Sequence, residues 1–299
     1  MNRYYSANEY FKSIYNEKIY KISLDGGMSC PNRVNGTSGC IFCSEGGSGE
    51  FAIKYKGNIK EEIDDAINLV KNKKATKFIA YFQSYTNTFA PINYLRDLFY
   101  KAIEDDRIVG LSIATRPDSI SDECIELLKE LNAKKKVFIE LGLQTSNDNT
   151  SIVIKRGYLS KKYLEITKKL RDANINVITH LIIGLPGETI EDLINSINFI
   201  NNNTDGVKLH LLYILKNTEL ENMYKRGEYT PLSMDEYIKL LGVSIKHLNP
   251  NIVVHRITGD PPKKLLVEPT WSADKKHVLN TINKYFNDNN IVQGQLFNQ

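Results

Sequence analysis

What the chain lacks narrows its class before any motif is read. No stretch approaches the roughly 20 consecutive apolar residues that a membrane-crossing helix needs. The first residues, MNRYYSANEYFKSIYNEK, are polar and aromatic where a secretory leader would carry an apolar core, so the expectation is a cytoplasmic protein. Low-complexity tracts, Pro- or Ser-rich linkers and a helical repeat period are also missing, which excludes disordered and solenoid classes. Neither charge dominates: 39 Lys and Arg against 35 Asp and Glu leave +4, too little for a dedicated nucleic-acid footprint but compatible with an anionic partner. Cysteine is scarce, four in 299 residues, so a disulfide scaffold is not expected and the placement of the four becomes informative.

What is present is an alternation. Apolar, β-branched runs at residues 18–24, 76–82, 108–115, 136–144, 175–184 and 206–215 predict buried strands. Segments of helical spacing at 59–72, 91–103, 121–132, 160–174 and 189–202 lie between them, several opened by Ser or Thr. A helix between successive strands specifies parallel pairing, either as an open doubly wound sheet or as a partial barrel. In the fourth strand Glu140, Gly142 and Gln144 share one face while Leu141 and Leu143 take the other; in the sixth, Lys208 and His210 share a face. Polar residues on one strand face suit a functional lumen, whereas a sheet covered on both sides is apolar throughout. The expected fold is α/β, a partial (βα)6 barrel over residues 1–216 with an α/β extension, residues 217–299, packed on it.

Three of the cysteines, Cys30, Cys40 and Cys43, fall in CPNRVNGTSGCIFC directly after the first strand, while Cys124 lies on the apolar stripe of SDECIELL, where core packing accounts for it. Three thiolates leave a zinc tetrahedron incomplete, and His180, His210, His247, His255 and His277 are all distant in sequence, so zinc would need a histidine folded back. A [4Fe–4S] cluster on three cysteines leaves one iron open to a non-protein ligand. Other candidates also follow strand ends: Gln83 to Thr88, Arg116, Gln144, Gly184 to Glu188 and Lys216. Parallel strands gather those ends on the rim where barrel enzymes build their sites, with Glu140 and His210 deeper in the lumen.

These segments together resemble the radical S-adenosylmethionine (SAM) enzymes. YKISLDGGMSCPNR, GCIFC, YFQSYTNTFAP, SIATRPDSI, FIELGLQTSND, KRGY, HLIIGLPGET, LHLLYILKNTEL and HRITGDPP look like the YhcC/YtqA-type branch, related to the radical domain of the Elongator catalytic subunit. The resemblance implies a [4Fe–4S] cluster on Cys30, Cys40 and Cys43 and SAM on its open iron. Gln83 and Ser84 stand at the position of an amino-group contact, Glu140 and Gln144 look like ribose or polar-end contacts, and Arg156 like a carboxylate partner. Gly184 and Gly187 would let backbone approach adenine, since glycine has no side chain. Tyr85, Arg116, Lys208, His210 and Lys216 are substrate candidates, and no general acid, base or nucleophile stands out.

Each candidate has a plainer reading. Glu140 and Gln144 can satisfy each other in the lumen, KRG is a common surface turn, Arg116 can pair with Asp118 or Asp122, and Tyr81, Tyr85 and Phe89 can be packing rather than base-stacking groups. Lysines in 71–77 and 134–136 precede strands and belong to the opposite rim; Lys263, Lys264, Lys275 and Lys276 are better placed to meet phosphates. Ala114 replaces the acid of the Elongator pattern and Tyr158 a histidine. The chain also leaves no room for that subunit's acetyltransferase domain, so acetyl-coenzyme A chemistry is not expected. The resemblance implies a flavodoxin- or ferredoxin-type electron donor and a tRNA wobble-uridine side chain as substrate. A radical enzyme for a small metabolite or protein, and a noncatalytic iron–sulfur or zinc module, remain alternatives.

Overall fold

The computed structural model describes residues 3–36, 39–47 and 52–297; Thr37 and Ser38 of the cysteine loop lie outside it. The first element is α1 (Ala7–Tyr15), begun by a reciprocal cap in which Ser6 Oγ accepts from the Glu9 N–H and the Glu9 carboxylate accepts from the Ser6 N–H. Six strands then alternate with helices: β1 (Ile19–Leu24), α2 (Ile59–Leu69), β2 (Lys77–Phe82), α3 (Ile92–Ile103), β3 (Ile108–Thr115), α4 (Asp122–Asn132), β4 (Lys136–Gln144), α5 (Asp148–Val153), α6 (Ser160–Asp172), β5 (Asn176–Ile183), α7 (Ile190–Ile200) and β6 (Gly206–Leu211). The chain continues through β7 (Ile214–Leu215), α8 (Glu219–Lys225), α9 (Met234–His247), β8 (Val253–Arg256), β9 (Leu266–Glu268) and α10 (Lys275–Asp288).

Among the described residues the main sheet has seven parallel strands in the order β1-β2-β3-β4-β5-β6-β8, curled into a half-barrel. Strand parity decides what faces where. Leu111 and Ile113 of β3 and Val137, Ile139, Leu141 and Leu143 of β4 are fully buried in the core cluster shared with the helices. The alternate residues face the lumen, and its N-terminal end is apolar: Ile19, Ile79, Phe138 and Ile178 surround Phe11 of α1. The Phe11 and Phe138 rings meet edge to face at 5.7 Å. Helix α1 packs on both β1 and β8, the two edge strands, and so plugs the open side of the half-barrel. Cys124 is buried in the core, as its stripe predicts. Among the described residues no helix is long and apolar enough to cross a membrane.

Three features depart from the sequence reading. The strand expected over 206–215 breaks after Leu211, and β7 turns away to pair antiparallel with β9. The region read as an extension, 217–299, supplies β8, the seventh strand of the sheet, because VVHR offers an apolar pair, Val253 and Val254, to the exposed edge of β6. Helix α1 was not expected, although Ser6 and Glu9 carry the spacing of a capping box. If α1 is a structural plug, Phe11→Ala should cost about 3 kcal/mol of unfolding free energy, read as a lower urea midpoint; an unchanged midpoint would mean that α1 merely rests on the barrel.

Candidate active site

The strand ends and lumen enclose a cavity of about 720 Å³ whose walls include all three clustered cysteines. The loop that carries them is held from several sides. Cys30 O accepts from the Arg33 N–H at 2.9 Å, opening a 3-10 turn over Pro31–Gly36, and Cys40 O accepts from the Cys43 N–H at 3.0 Å. The Arg33 guanidinium donates to the carbonyls of Cys43 and Ser44 and lies 5.5 Å from the Tyr85 ring, whose hydroxyl donates to Glu45 O. Between the second and third cysteines, Ile41 is buried against Ile154, Leu212 and Leu220, so the loop is anchored through this buried side chain. The hydrogen bond from Cys43 brings the Cys40 thiol down to about 7 against the effect of burial, and the Arg116 charge works in the same direction. Among the described residues no three His, Cys, Asp or Glu side chains, the three thiols included, gather as closely as a single metal ion requires.

At the end of β4, Gln144 has φ +60°, a left-handed conformation that costs a non-glycine residue about 1 kcal/mol or more. The β4–β5 register shifts at this point, and the Thr145 N–H donates to Leu143 O at 2.7 Å across the turn. The Gln144 Oε1 atom is buried with no hydrogen-bond partner among the described residues. A buried acceptor without a partner is expensive, and here it coincides with backbone strain, the combination expected where a ligand completes the site. Gly142 makes the approach feasible, since a Cβ there would sit 2.5 Å from Gln144 Nε2.

Deeper in the lumen lies a charged layer. Glu140, fully buried, accepts from Lys21 Nζ at 2.7 Å and Ser112 Oγ at 2.5 Å through Oε1. Its Oε2 meets His180 Nε2 at 2.7 Å and pairs with the Lys208 ammonium. Lys208 also donates to the Tyr81 hydroxyl at 3.0 Å. Burial alone would raise the Glu140 carboxyl, but the Lys208 and Lys21 charges and the His180 hydrogen bond hold it well below the usual carboxylate range. Burial pulls the Lys208 ammonium down to about 7 against the attraction of Glu140. His180 falls to about 4, by burial and by the Lys208 charge, so its ring is neutral at pH 7.

Three thiols, one of them eased toward ionisation, share this cavity with an unpaired amide oxygen. That donor set fits a thiolate-held iron–sulfur cluster with an organic ligand beside it. The family model of the radical SAM superfamily matches residues 29–200, and that of a radical SAM C-terminal domain matches residues 204–288. The chain belongs to the radical SAM superfamily. Members of this superfamily are enzymes that use a [4Fe–4S] cluster and SAM. Similar proteins include YtqA of Bacillus subtilis, 39% identical over 99% of this chain and 93% of that protein, and YhcC of Escherichia coli, 33% identical over 93% and 90%. A tRNA uridine(34) acetyltransferase of Methanocaldococcus infernus is 30% identical over 54% of this chain, which spans 30% of that enzyme. Among solved structures, the Elp3 of M. infernus superposes with a TM-score of 0.68 at 21% identity, covering 78% of this chain and 59% of that one, and shares the fold.

Within this radical SAM half-barrel the expected site residues divide. Gln83, Tyr85, Arg116, Glu140, Gln144, Arg156, Lys208 and His210 line the cavity with the three cysteines. The roles their contacts allow differ from the expectation. The Arg156 guanidinium, expected to take a carboxylate, donates to the carbonyls of Leu143, Thr145 and Tyr158 and faces Asp148 at 3.4 Å. Its fork is committed to holding the turn around Gln144. Arg116 pairs with Asp118 at 2.7 Å, not with Asp122, and donates to Arg156 O at 2.8 Å. Tyr158, which replaces a histidine of related motifs, stacks near both guanidiniums, 5.0 Å from Arg116 and 4.5 Å from Arg156, and its hydroxyl donates to Gly142 O. Tyr85 clasps the cysteine loop, and Glu140 pairs with lysines rather than with Gln144.

Ser84 is buried away from the cavity, and Lys216 is exposed outside it. Gly184 and Gly187, with φ +94° and +76°, shape a separate cavity of about 280 Å³ closed by Tyr229 and Leu232. Sequence reasoning missed Lys21 and Arg256, both cavity-lining; strand parity in IYKISL exposes Lys21, whereas Arg256 gives no such signal because β8 was not assigned to the barrel. The Glu140 hub yields a signed prediction. A carboxyl with a lowered folded pKa stabilises above its unfolded value, near 4.3, and loses that contribution as pH falls from there through the folded value. Glu140→Gln should therefore lower unfolding free energy by about 3 kcal/mol at pH 7, and the gap to wild type should close only below about pH 4.3, followed by urea denaturation across pH. A gap that closes near pH 6 would contradict it.

Proposed function

We propose that this chain cleaves SAM reductively at the cysteine mouth and modifies the side chain of a tRNA wobble uridine. The observation that carries the cofactor half is the shared cavity, in which Cys30, Cys40 and Cys43 meet the strained, unpaired Gln144 amide. When bound, the cluster would supply the one-electron reduction that splits a carbon–sulfur bond of SAM into methionine and a 5′-deoxyadenosyl group able to take hydrogen from substrate. The chain's own residues do the rest. The three thiolates would hold the cluster, with Cys40 eased toward ionisation by the Cys43 hydrogen bond. Gln144 Oε1 would accept a hydrogen bond from the amino or ribose end of SAM, and Gln83, which also lines the cavity, would contact the same polar end. Arg156 and Tyr158 fix the turn that aims Gln144, while the apolar plug around Phe11 closes the lumen from below and keeps water from the radical's path.

Support for tRNA comes from similarity to the tRNA uridine(34) acetyltransferase over 54% of the chain. It comes also from exposed Lys263, Lys264 and Lys276, which flank the cavity-lining Pro262 and Lys275 and suit a phosphate backbone. The proposed electron source is a flavodoxin or ferredoxin. After anaerobic reconstitution with iron and sulfide and reduction by dithionite, wild type should convert SAM to 5′-deoxyadenosine, and the Cys30, Cys40, Cys43 triple Ser variant should not. Gln144→Ala should keep its cluster yet bind SAM about tenfold more weakly, the loss of one hydrogen bond to a charged or polar ligand group. Bulk tRNA should raise turnover and gain a mass shift at uridine. A silent wild type with an intact cluster would refute the radical reading, and indifference to tRNA would refute the substrate.

A further inference from the structure

The cavity carries more positive charge than its acids balance. Arg116 is matched by Asp118 and Lys275 by Asp260 at 2.5 Å, but Lys21 and Lys208 share the single carboxylate of Glu140. Arg256 lines the same cavity, and its guanidinium has no hydrogen-bond or ion-pair partner among the described residues. It stands opposite Lys208 in the β6–β8 register, and its charge reaches Lys208, Tyr81, His180 and His210. The neighbouring histidines add no charge, since burial holds His180, His210 and His255 below their ordinary range, and His210 Nε2 is itself buried without a partner among the described residues. Half-buried guanidiniums are ordinarily paired, because an unmatched cation in a low-dielectric wall is costly. A guanidinium without a partner among the described residues, beside a lysine that shares its carboxylate with Lys21, is a site built for an incoming anion.

We propose that Arg256, with Lys208 beside it and His210 completing the contact, forms an oxyanion subsite that grips a carboxylate or phosphate of the substrate and so orients the substrate inside the barrel. The proposal rests on the reading of this cavity as the radical site, and adds to it that the substrate carries an anion at the end lodged deepest. Arg256 comes from β8, in the span matched by the radical SAM C-terminal domain, 204–288, and outside the 29–200 span that carries the cysteines, so the subsite is assigned to substrate rather than to the cofactor.

The test titrates reconstituted protein with inorganic phosphate and with acetate at constant ionic strength by calorimetry, and separately with SAM, for wild type, Arg256→Gln and Arg256→Lys. Wild type should bind an oxyanion saturably, and Arg256→Gln should weaken it about tenfold or more, the loss of a charge-assisted pair. Arg256→Lys should retain part of the affinity, since it keeps the charge but not the fork, which also guards against a folding defect in the Gln variant. SAM affinity should stay within about twofold in all three. Absence of saturable binding in wild type, or equal binding by Arg256→Gln, would overturn the proposal. So would phosphate competing with SAM, or SAM affinity falling with Arg256→Gln, because the anion held would then be the cofactor's own carboxylate. If wild type binds phosphate through Arg256 but makes no 5′-deoxyadenosine, the subsite stands and the radical reading falls.

Discussion

A fully buried carboxylate organises this half-barrel. Glu140 on β4 takes hydrogen bonds or ion pairs from Lys21 on β1, Ser112 on β3, His180 on β5 and Lys208 on β6, so one side chain ties together strands that a sheet alone joins only to their neighbours. An isolated buried carboxylate would be prohibitive; with both oxygens saturated, its removal is what becomes destabilising. The curl of an incomplete barrel has no closing strand pair to enforce it. A charged layer across the lumen supplies that constraint, with an apolar plug beneath it and the cysteine mouth above.

The mouth depends on a second constraint. Arg156 spends its guanidinium on backbone carbonyls of residues 143, 145 and 158, which pins the left-handed turn at Gln144, whose Oε1 has no partner among the described residues. Tyr158 lies between two guanidiniums and reaches Gly142 O, where the missing Cβ lets the Gln144 side chain fold back. Strain of this sort persists only when surrounding contacts over-determine it, and the density of bonds around residues 142–158 provides them. The cysteine loop is fixed by equivalent means, through Arg33, Tyr85 and buried Ile41.

The alternation of strand and helix, and the side of β4 that faces the lumen, were legible because they rest on local periodicity: Glu140 against Leu141 is a statement about pleat alone. The cysteine triad was legible because thiols are scarce enough for a cluster to stand out. Which cation meets which anion was not legible, since Lys21 and Glu140 are separated by more than a hundred residues and meet only through sheet register. Arg156 was read as a carboxylate partner because nothing local reveals that three carbonyls converge on it. β8 was placed outside the barrel because a four-residue strand after a long excursion carries no sign of the edge it will join, and Arg256 was lost with it. Gly184 and Gly187 followed a strand end as expected, but the turn they allow faces a different cavity.

The central claim is that the three thiols and the Gln144 turn form one site for a cluster and SAM. Electron paramagnetic resonance of the reconstituted, reduced protein, recorded before and after SAM is added, addresses it without requiring turnover or a substrate. Wild type should show a [4Fe–4S]+ signal that changes on SAM addition, and Gln144→Ala one that responds only at higher SAM concentration. A wild-type cluster signal indifferent to saturating SAM would contradict it.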